Sequence, residues 1–309
     1  MRLFFAVAGL AALMLVSCEK PFEAGVSVDK ELQKFAGADT TMLAGIDMEK
    51  FKSTGFYARH KDLLNIPLLA GMSEQTDFDP RRDLTQGLLT WNGKAVLAAA
   101  RGRFAKDKIE RSLGAAPAQY KGQTIFTFRG DALSFPSSDV AIGGSVRSVE
   151  SALDAAKDGP GKVPAEFSPA LSWLPKTNQL WLVSRGGLPF ADAPLRPDYA
   201  SILSNFAGYV RTTAAGVTAG DGLHLTARVD CVSEVGSKRV NDALRGGIGL
   251  ARLSTKDSEL DMLRLYDAVH VKQDGATVYV DADLSPDLAD KLLNRIDGFN
   301  IRERLARPR

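Results

Sequence analysis

The sequence predicts an α+β fold of two similar halves, each an antiparallel-rich sheet with helices packed on one face. Three observations carry that expectation. Short apolar runs are joined in pairs by tight Gly-containing turns, the mark of hairpins rather than parallel crossovers. Amphipathic stretches of helical period stand between the hairpins, so helices and antiparallel strands share one body. The order strand–helix, hairpin–helix, hairpin–helix also occurs twice. The run 41–47 matches 178–184 at an offset of 137 residues, and the hairpin strands near 95 and 223 match at 128. Residues 139–143 match 277–281 at 138, and offsets that nearly agree point to a duplicated unit.

Taken in order, Thr41–Asp47 is expected as a strand and 48–65 as a helical stretch that breaks at Gly55. Pro67 suits the first turn of a second helix, which carries Leu68, Leu69 and Met72 on one face. Gln86–Trp91 and Lys94–Ala100 form a hairpin across Asn92-Gly93, a pair suited to the positive φ angles of a type I′ turn. A helix is expected over Lys106–Leu113, with strands at 124–128, 131–135 and 139–143, and a helix at Ser145–Lys157. The breaker cluster Asp158-Gly159-Pro160-Gly161-Lys162-Val163-Pro164 separates the halves.

The second half opens with a strand at Asn178–Ser184 and a helix at Tyr199–Ala207. Strands at 206–215 and 223–231 turn across Gly220-Asp221-Gly222, and helices follow at Glu234–Leu253 and Ser258–Asp267. A last hairpin, 268–272 with 277–282, turns on Asp274-Gly275. Ser285 then caps a helix with Pro286 in its first turn and Leu288, Leu292 and Ile296 on one face. Three glycines, Gly246, Gly247 and Gly249, interrupt the longest helical pattern. Each costs a helix about 1 kcal/mol against alanine, so close packing or a break is expected there, with the approach of a ligand as the lesser alternative.

Composition narrows the function classes. Of 309 residues, 45% are hydrophobic and 25% charged, which excludes a disordered or collagen-like chain. Two cysteines exclude a disulfide-stapled scaffold. Thirty-nine basic against thirty-seven acidic side chains give a net charge of +2, far from the basic excess of a nucleic-acid binder.

Candidate chemistry is sparse. His60, His224 and His270 lie far apart in sequence, so no metal site is expected, although His224 and His270 fall on neighbouring hairpins. Gly143-Gly144-Ser145-Val146-Arg147 lacks the second flanking glycine of a hydrolase elbow, and Ser145 reads as a helix N-cap. No glycine-rich nucleotide fingerprint is present, so no cofactor is expected. Arg81, Arg82, Arg101 and Arg103 are the candidate anion-binding patch, against the alternative of local ion pairs. The segment 301–309, with four arginines, is a basic tail.

At the N-terminus, Arg2 precedes fourteen uncharged apolar residues, Leu3–Val16. As a helix these rise roughly 21 Å, short of the ~30 Å hydrocarbon core, so the segment reads as a secretory signal rather than a span. Leu15-Val16-Ser17-Cys18 resembles the lipobox of bacterial lipoproteins. That resemblance implies that residues 1–17 are removed and that Cys18, acylated, tethers the chain to a membrane. Two or three acyl chains hold far more firmly than one. By the same analogy, Glu19 after the cysteine leans toward the periplasmic face of the outer membrane over the inner membrane. Cys231, the other cysteine, closes an apolar strand and reads as core.

Three further runs, 39–47, 78–84 and 100–104, resemble a group of bacterial envelope proteins to which no activity is attached. The resulting organisation is signal peptide 1–17, tether 18–39, first half 40–157, linker 158–176, second half 177–300 and tail 301–309. The expected function is a non-enzymatic binding or scaffolding role in the cell envelope, with an envelope protein as partner. The alternatives are a small-molecule or peptide binder working in a cleft between the halves, a place pockets favour, and an envelope hydrolase.

Overall fold

A computed structural model describes residues 25–61, 73–74, 77–114, 116–128, 130–157, 159, 163–186 and 208–297. The signal segment, Cys18, the helix expected from Pro67, the helix expected at Tyr199–Ala207 and the tail 301–309 lie outside the described residues.

The α+β class holds, and every strand pair is antiparallel. The first half contributes β1 (Met42–Asp47), β2 (Leu84–Trp91), β3 (Val96–Gly102), β4 (Ala116–Tyr120), β5 (Gln123–Phe128), β6 (Asp131–Ser134) and β7 (Val140–Ser145). The second contributes β8 (Leu180–Arg185), β9 (Val210–Ala219), β10 (Leu223–Cys231), β11 (Val269–Asp274) and β12 (Thr277–Leu284). The two halves are not stacked as separate sheets. They join edge to edge through β1 and β8 into one twelve-stranded sheet of order β11-β12-β10-β9-β8-β1-β2-β3-β7-β6-β5-β4. Outward from that seam the order is β1-β2-β3-β7-β6 on one side and β8-β9-β10-β12-β11 on the other. Matching strands follow one another in the same sequence, which is the topology a duplication leaves.

The helices are α1 (Lys30–Gln33), α2 (Met48–Lys52), α3 (Gly55–His60), α4 (Pro80–Asp83), α5 (Lys106–Leu113), α6 (Val146–Lys157), α7 (Ser168–Trp173), α8 (Glu234–Leu253), α9 (Leu260–Ala268) and α10 (Pro286–Asp297). Local chemistry sets their ends. The Asp47 side chain accepts from the Lys50 amide and that of Thr54 from Tyr57, so α2 stops and α3 restarts where Gly55 was expected to break the helix. Ser145 Oγ accepts from the Ser148 amide at 3.2 Å, and Ser285 Oγ from Leu288 at 3.4 Å, as N-caps do.

Three details differ from the sequence reading. The 92–95 turn is not a two-residue type I′ turn: Gly93 alone has φ +87°, and Asn92 Oδ1 accepts from the amides of Lys94 and Ala95. β4 is a strand that the sequence reading does not place; its Pro117 is tolerated because β4 is the sheet edge. Residues 165–173 carry a 3₁₀ turn and α7, and the fully buried Phe167 and Leu174 pin this segment to the core.

Strand alternation assigns the two faces. On one face Leu43, Leu88, Leu97, Ala99, Val183 and Ala214 pack with α1, α6 and α7 as the main core, which includes Leu32, Phe35, Val149, Leu153 and Phe167. On the other, α8 covers one end, with Val240 and Leu244 against Val229, Val271 and Val278. At the opposite end α3 and α10 bring Phe56, Leu288 and Ala289 onto Ala219, Leu223 and Leu284. Between those ends lies the centre of the sheet.

Candidate functional site

The register aligns the central residues of that second face into rows. Ala98 faces Leu89, Leu89 faces Ala44, and Ala44 faces Leu182 across the seam. The row continues through Ala215, Ala227, Val280 and Val271. Two residues along each strand, Ala100, Gly87, Ile46, Leu180, Val217, Leu225, Ala282 and Val269 make a second row. Each row crosses eight strands, and neither holds a polar side chain.

These rows floor a cavity of about 830 Å³ that straddles the seam, with β1, β2 and β3 on one side and β8, β9, β10, β11 and β12 on the other. Among the described lining residues only Thr226 and Trp181 carry a polar side-chain atom. Thr226 Oγ1 already donates to Asp281 Oδ1 at 3.1 Å. Among the described lining residues none is charged, so the part of the cavity they form is suited to apolar matter. Leu89 and Leu225 are 44% and 36% exposed although both rows are continuous hydrocarbon. Continuous exposed apolar surface is characteristic of binding surfaces.

The sequence-derived candidates lie elsewhere and do not converge. Arg81 Nη2 contacts Asp79 Oδ2 at 2.7 Å. Arg82 and Arg103 share Asp83, at 2.7 and 3.3 Å. Arg101 reaches Asp29 at 3.2 Å and Asp139 at 3.8 Å. Each of the four guanidiniums thus has a carboxylate partner, and the side-chain hydrogen bonds from Arg81 and Arg82 hold Asp79 and Asp83 below the usual carboxylate range. Arg82, Asp83 and Arg103 line an open hollow with Asp77 and Phe104, in which acidic and basic groups balance.

His60 Nε2 lies 2.7 Å from Asp290 and His224 Nδ1 2.7 Å from Asp283. His270 is exposed on β11, and β12 separates it from His224. Among the described residues no group of three or more His, Cys, Asp or Glu side chains is arranged to hold a metal ion. Cys231 is buried, and burial pushes its thiol pKa up, which makes it a poor nucleophile. Cys18 lies outside the described residues.

The cavity was not found from the residues that form it. The available signal was the run of apolar residues in Leu180–Val183 and Ala214–Val217, which makes both faces of those strands apolar.

No protein-family model matches the sequence, and no curated protein matches it. Among solved structures the chain is similar to TP0453. Its crystal form III matches with a TM-score of 0.46 at 12% identity over 87% of this chain and 99% of that one. Crystal form IV gives 0.47 at 12% identity over 86% and 97%, and crystal form I gives 0.42 at 13% identity over 87% and 98%.

Proposed function

We propose that this chain is a lipid-anchored cell-envelope protein with a non-enzymatic binding role, and that its binding site is the apolar cavity across the seam. The observation that carries the binding role is the pair of uninterrupted apolar rows flooring about 830 Å³, with no charged group among the described lining residues. Volumes of roughly 300–1,000 Å³ are those of small-molecule sites, and such sites favour the junction of two units. The anchor is Cys18, read from Leu15-Val16-Ser17-Cys18, and Glu19 favours the periplasmic face of the outer membrane.

Two measurements test the reading. Intact mass and membrane fractionation are compared for the wild type and Cys18→Ser; an acylated chain that starts at residue 18 and a released variant are expected. The neutral probe N-phenyl-1-naphthylamine is then titrated into the Cys18→Ser protein, and saturable fluorescence enhancement is expected. Two soluble forms would overturn the anchor, and absence of saturable enhancement would overturn the site.

A second reading has its own observation. Leu250, Leu253 and Leu260, at the α8–α9 junction, are 67%, 84% and 65% exposed, a surface suited to an envelope protein partner. A photo-crosslinking residue at position 253 that captures one envelope protein in cells would support it.

A further inference from the structure

Resting on the reading of the cavity as the binding site, we infer that its occupant is the hydrocarbon of a diacyl lipid taken from the surrounding membrane. The two tails lie across the strands, and the headgroup stays outside.

The lining decides the chemistry first. A pocket for a polar ligand ordinarily places a few donors or acceptors to fix orientation. Among the described lining residues the one hydroxyl, on Thr226, is engaged by Asp281, and none is charged. A peptide, sugar or nucleotide would bury its amides, hydroxyls or phosphates without partners, at a penalty that no contact on these rows returns. The buried part of the occupant is therefore pure hydrocarbon.

Shape and size narrow it further. Small residues, Ala44, Ala98, Ala215 and Ala227, alternate with Leu89 and Leu182 along one row, which makes a shallow furrow rather than a flat platform for a planar ring. The cavity holds about 830 Å³. If a methylene takes about the ~30 Å³ that a water occupies in the liquid, that volume accepts on the order of 27 methylenes. Eight strands at ~4.8 Å spacing give each row a length of about 34 Å. One tail spans about half of the ~30 Å bilayer core, so row length and volume both match two tails rather than one.

The source is a second lipid, not the protein's own anchor. The Gly25 amide donates to the Leu174 carbonyl at 2.8 Å and that of Val26 to Leu171 at 3.1 Å. Val26 and Val28 pack into the main core, which lies on the face of the sheet away from the cavity. Gly25, where the described residues begin, thus lies on the side of the sheet opposite the cavity.

The test displaces N-phenyl-1-naphthylamine from the Cys18→Ser protein with saturated fatty acids of increasing length, with dioctanoyl phosphatidylglycerol, and with triphenylmethanol as a compact aromatic competitor. Each added methylene is expected to tighten displacement about fourfold until the furrow is filled. Dioctanoyl phosphatidylglycerol should saturate at one molecule per chain, and triphenylmethanol should compete poorly. Ala215→Trp should weaken displacement at least tenfold, and Leu225→Gln gives the same readout at an exposed position if the first variant fails to fold. Displacement without chain-length dependence, or stronger by triphenylmethanol, overturns the lipid assignment while leaving the cavity a binding site. Tight binding by Cys18→Ser together with none by the acylated wild type overturns the source, because the anchor itself would then fill the cavity. Failure of the probe to bind removes the site and this inference with it.

Discussion

Trp181 on β8 sits directly opposite Gly45 on β1, and its indole lies so close over that glycine that a β-carbon on residue 45 would overlap the ring. Its other cross-strand neighbour, on β9, is Gly216, which the Asn178 side chain covers in the same way. The seam between the halves is thus closed on the core side by a large ring set between two glycines. Apolar residues face the cavity on its other side.

Gly45→Ala is therefore expected to destabilise the chain by about 1–3 kcal/mol, because the indole must leave its position in a packed core. Trp181→Leu in the same chain should recover part of that loss. Urea denaturation of both single variants and the double variant measures the coupling, and an unchanged midpoint for Gly45→Ala would show that the ring is free to shift.

Leu89→Gln and Leu225→Gln should separate stability from binding. Both side chains are partly exposed, so stability should stay within about 0.5 kcal/mol of wild type. Each places an amide in a row that is otherwise hydrocarbon, and probe affinity should fall at least tenfold. Unfolding midpoints and probe titrations on the same samples decide the matter, and loss of both together would contradict it.

Gly246, Gly247 and Gly249 were expected to mark close packing or a break. Neither is present: α8 runs unbroken from Glu234 to Leu253, and a β-carbon at any of the three meets nothing within 4 Å. The residues buried on α8 all precede them, in the stretch from Gly236 to Asn241. Alanine at each position should stabilise the helix by about 0.5–1 kcal/mol. Amide exchange over residues 245–253 should slow in the triple variant, and unchanged exchange would mean that the end of the helix is held by something other than its own propensity.

Asp83 is buried, accepts from Arg82 and from the Asp79 amide, and has its pKa lowered chiefly by the Arg82 hydrogen bond. A carboxylate whose folded-state pKa lies below its unfolded value stabilises the fold at pH values above the unfolded one. That contribution disappears as pH falls through the folded value, so the loss lies below about pH 4. Asp83→Asn should cost about 1–2 kcal/mol at neutral pH, between the limits for exposed and buried pairs, and should flatten the acid limb of stability. Denaturation midpoints from pH 7 to pH 3 test both the size and the sign.

Much of the local structure was legible in the chain. β1, β5, β6, α5 and α8 fall where alternation, helical period and capping residues place them, and α8 spans 234–253 as expected. The repeated order of elements foretold the matched strand orders on the two sides of the seam. β4 was not placed from the sequence; its Pro117 lacks an amide, which matters inside a sheet and not at its edge. The arginines drew attention because charge is conspicuous in a sequence. Their neutralisation by Asp29, Asp79, Asp83 and Asp139 depended on which segments meet in space.

By itself the sequence determined the kind of element at most positions and which residues of a strand share a face, because those are properties of neighbours a few residues apart. It also displayed the Leu15–Cys18 motif on which the anchor is proposed. Only the tertiary structure decided that the two halves share one sheet and that Ala44 meets Leu182 across it. A single half-exposed alanine or leucine on one strand is ordinary protein surface. Eight of them in register become one continuous apolar row only when pairing between segments far apart in the chain brings their strands side by side.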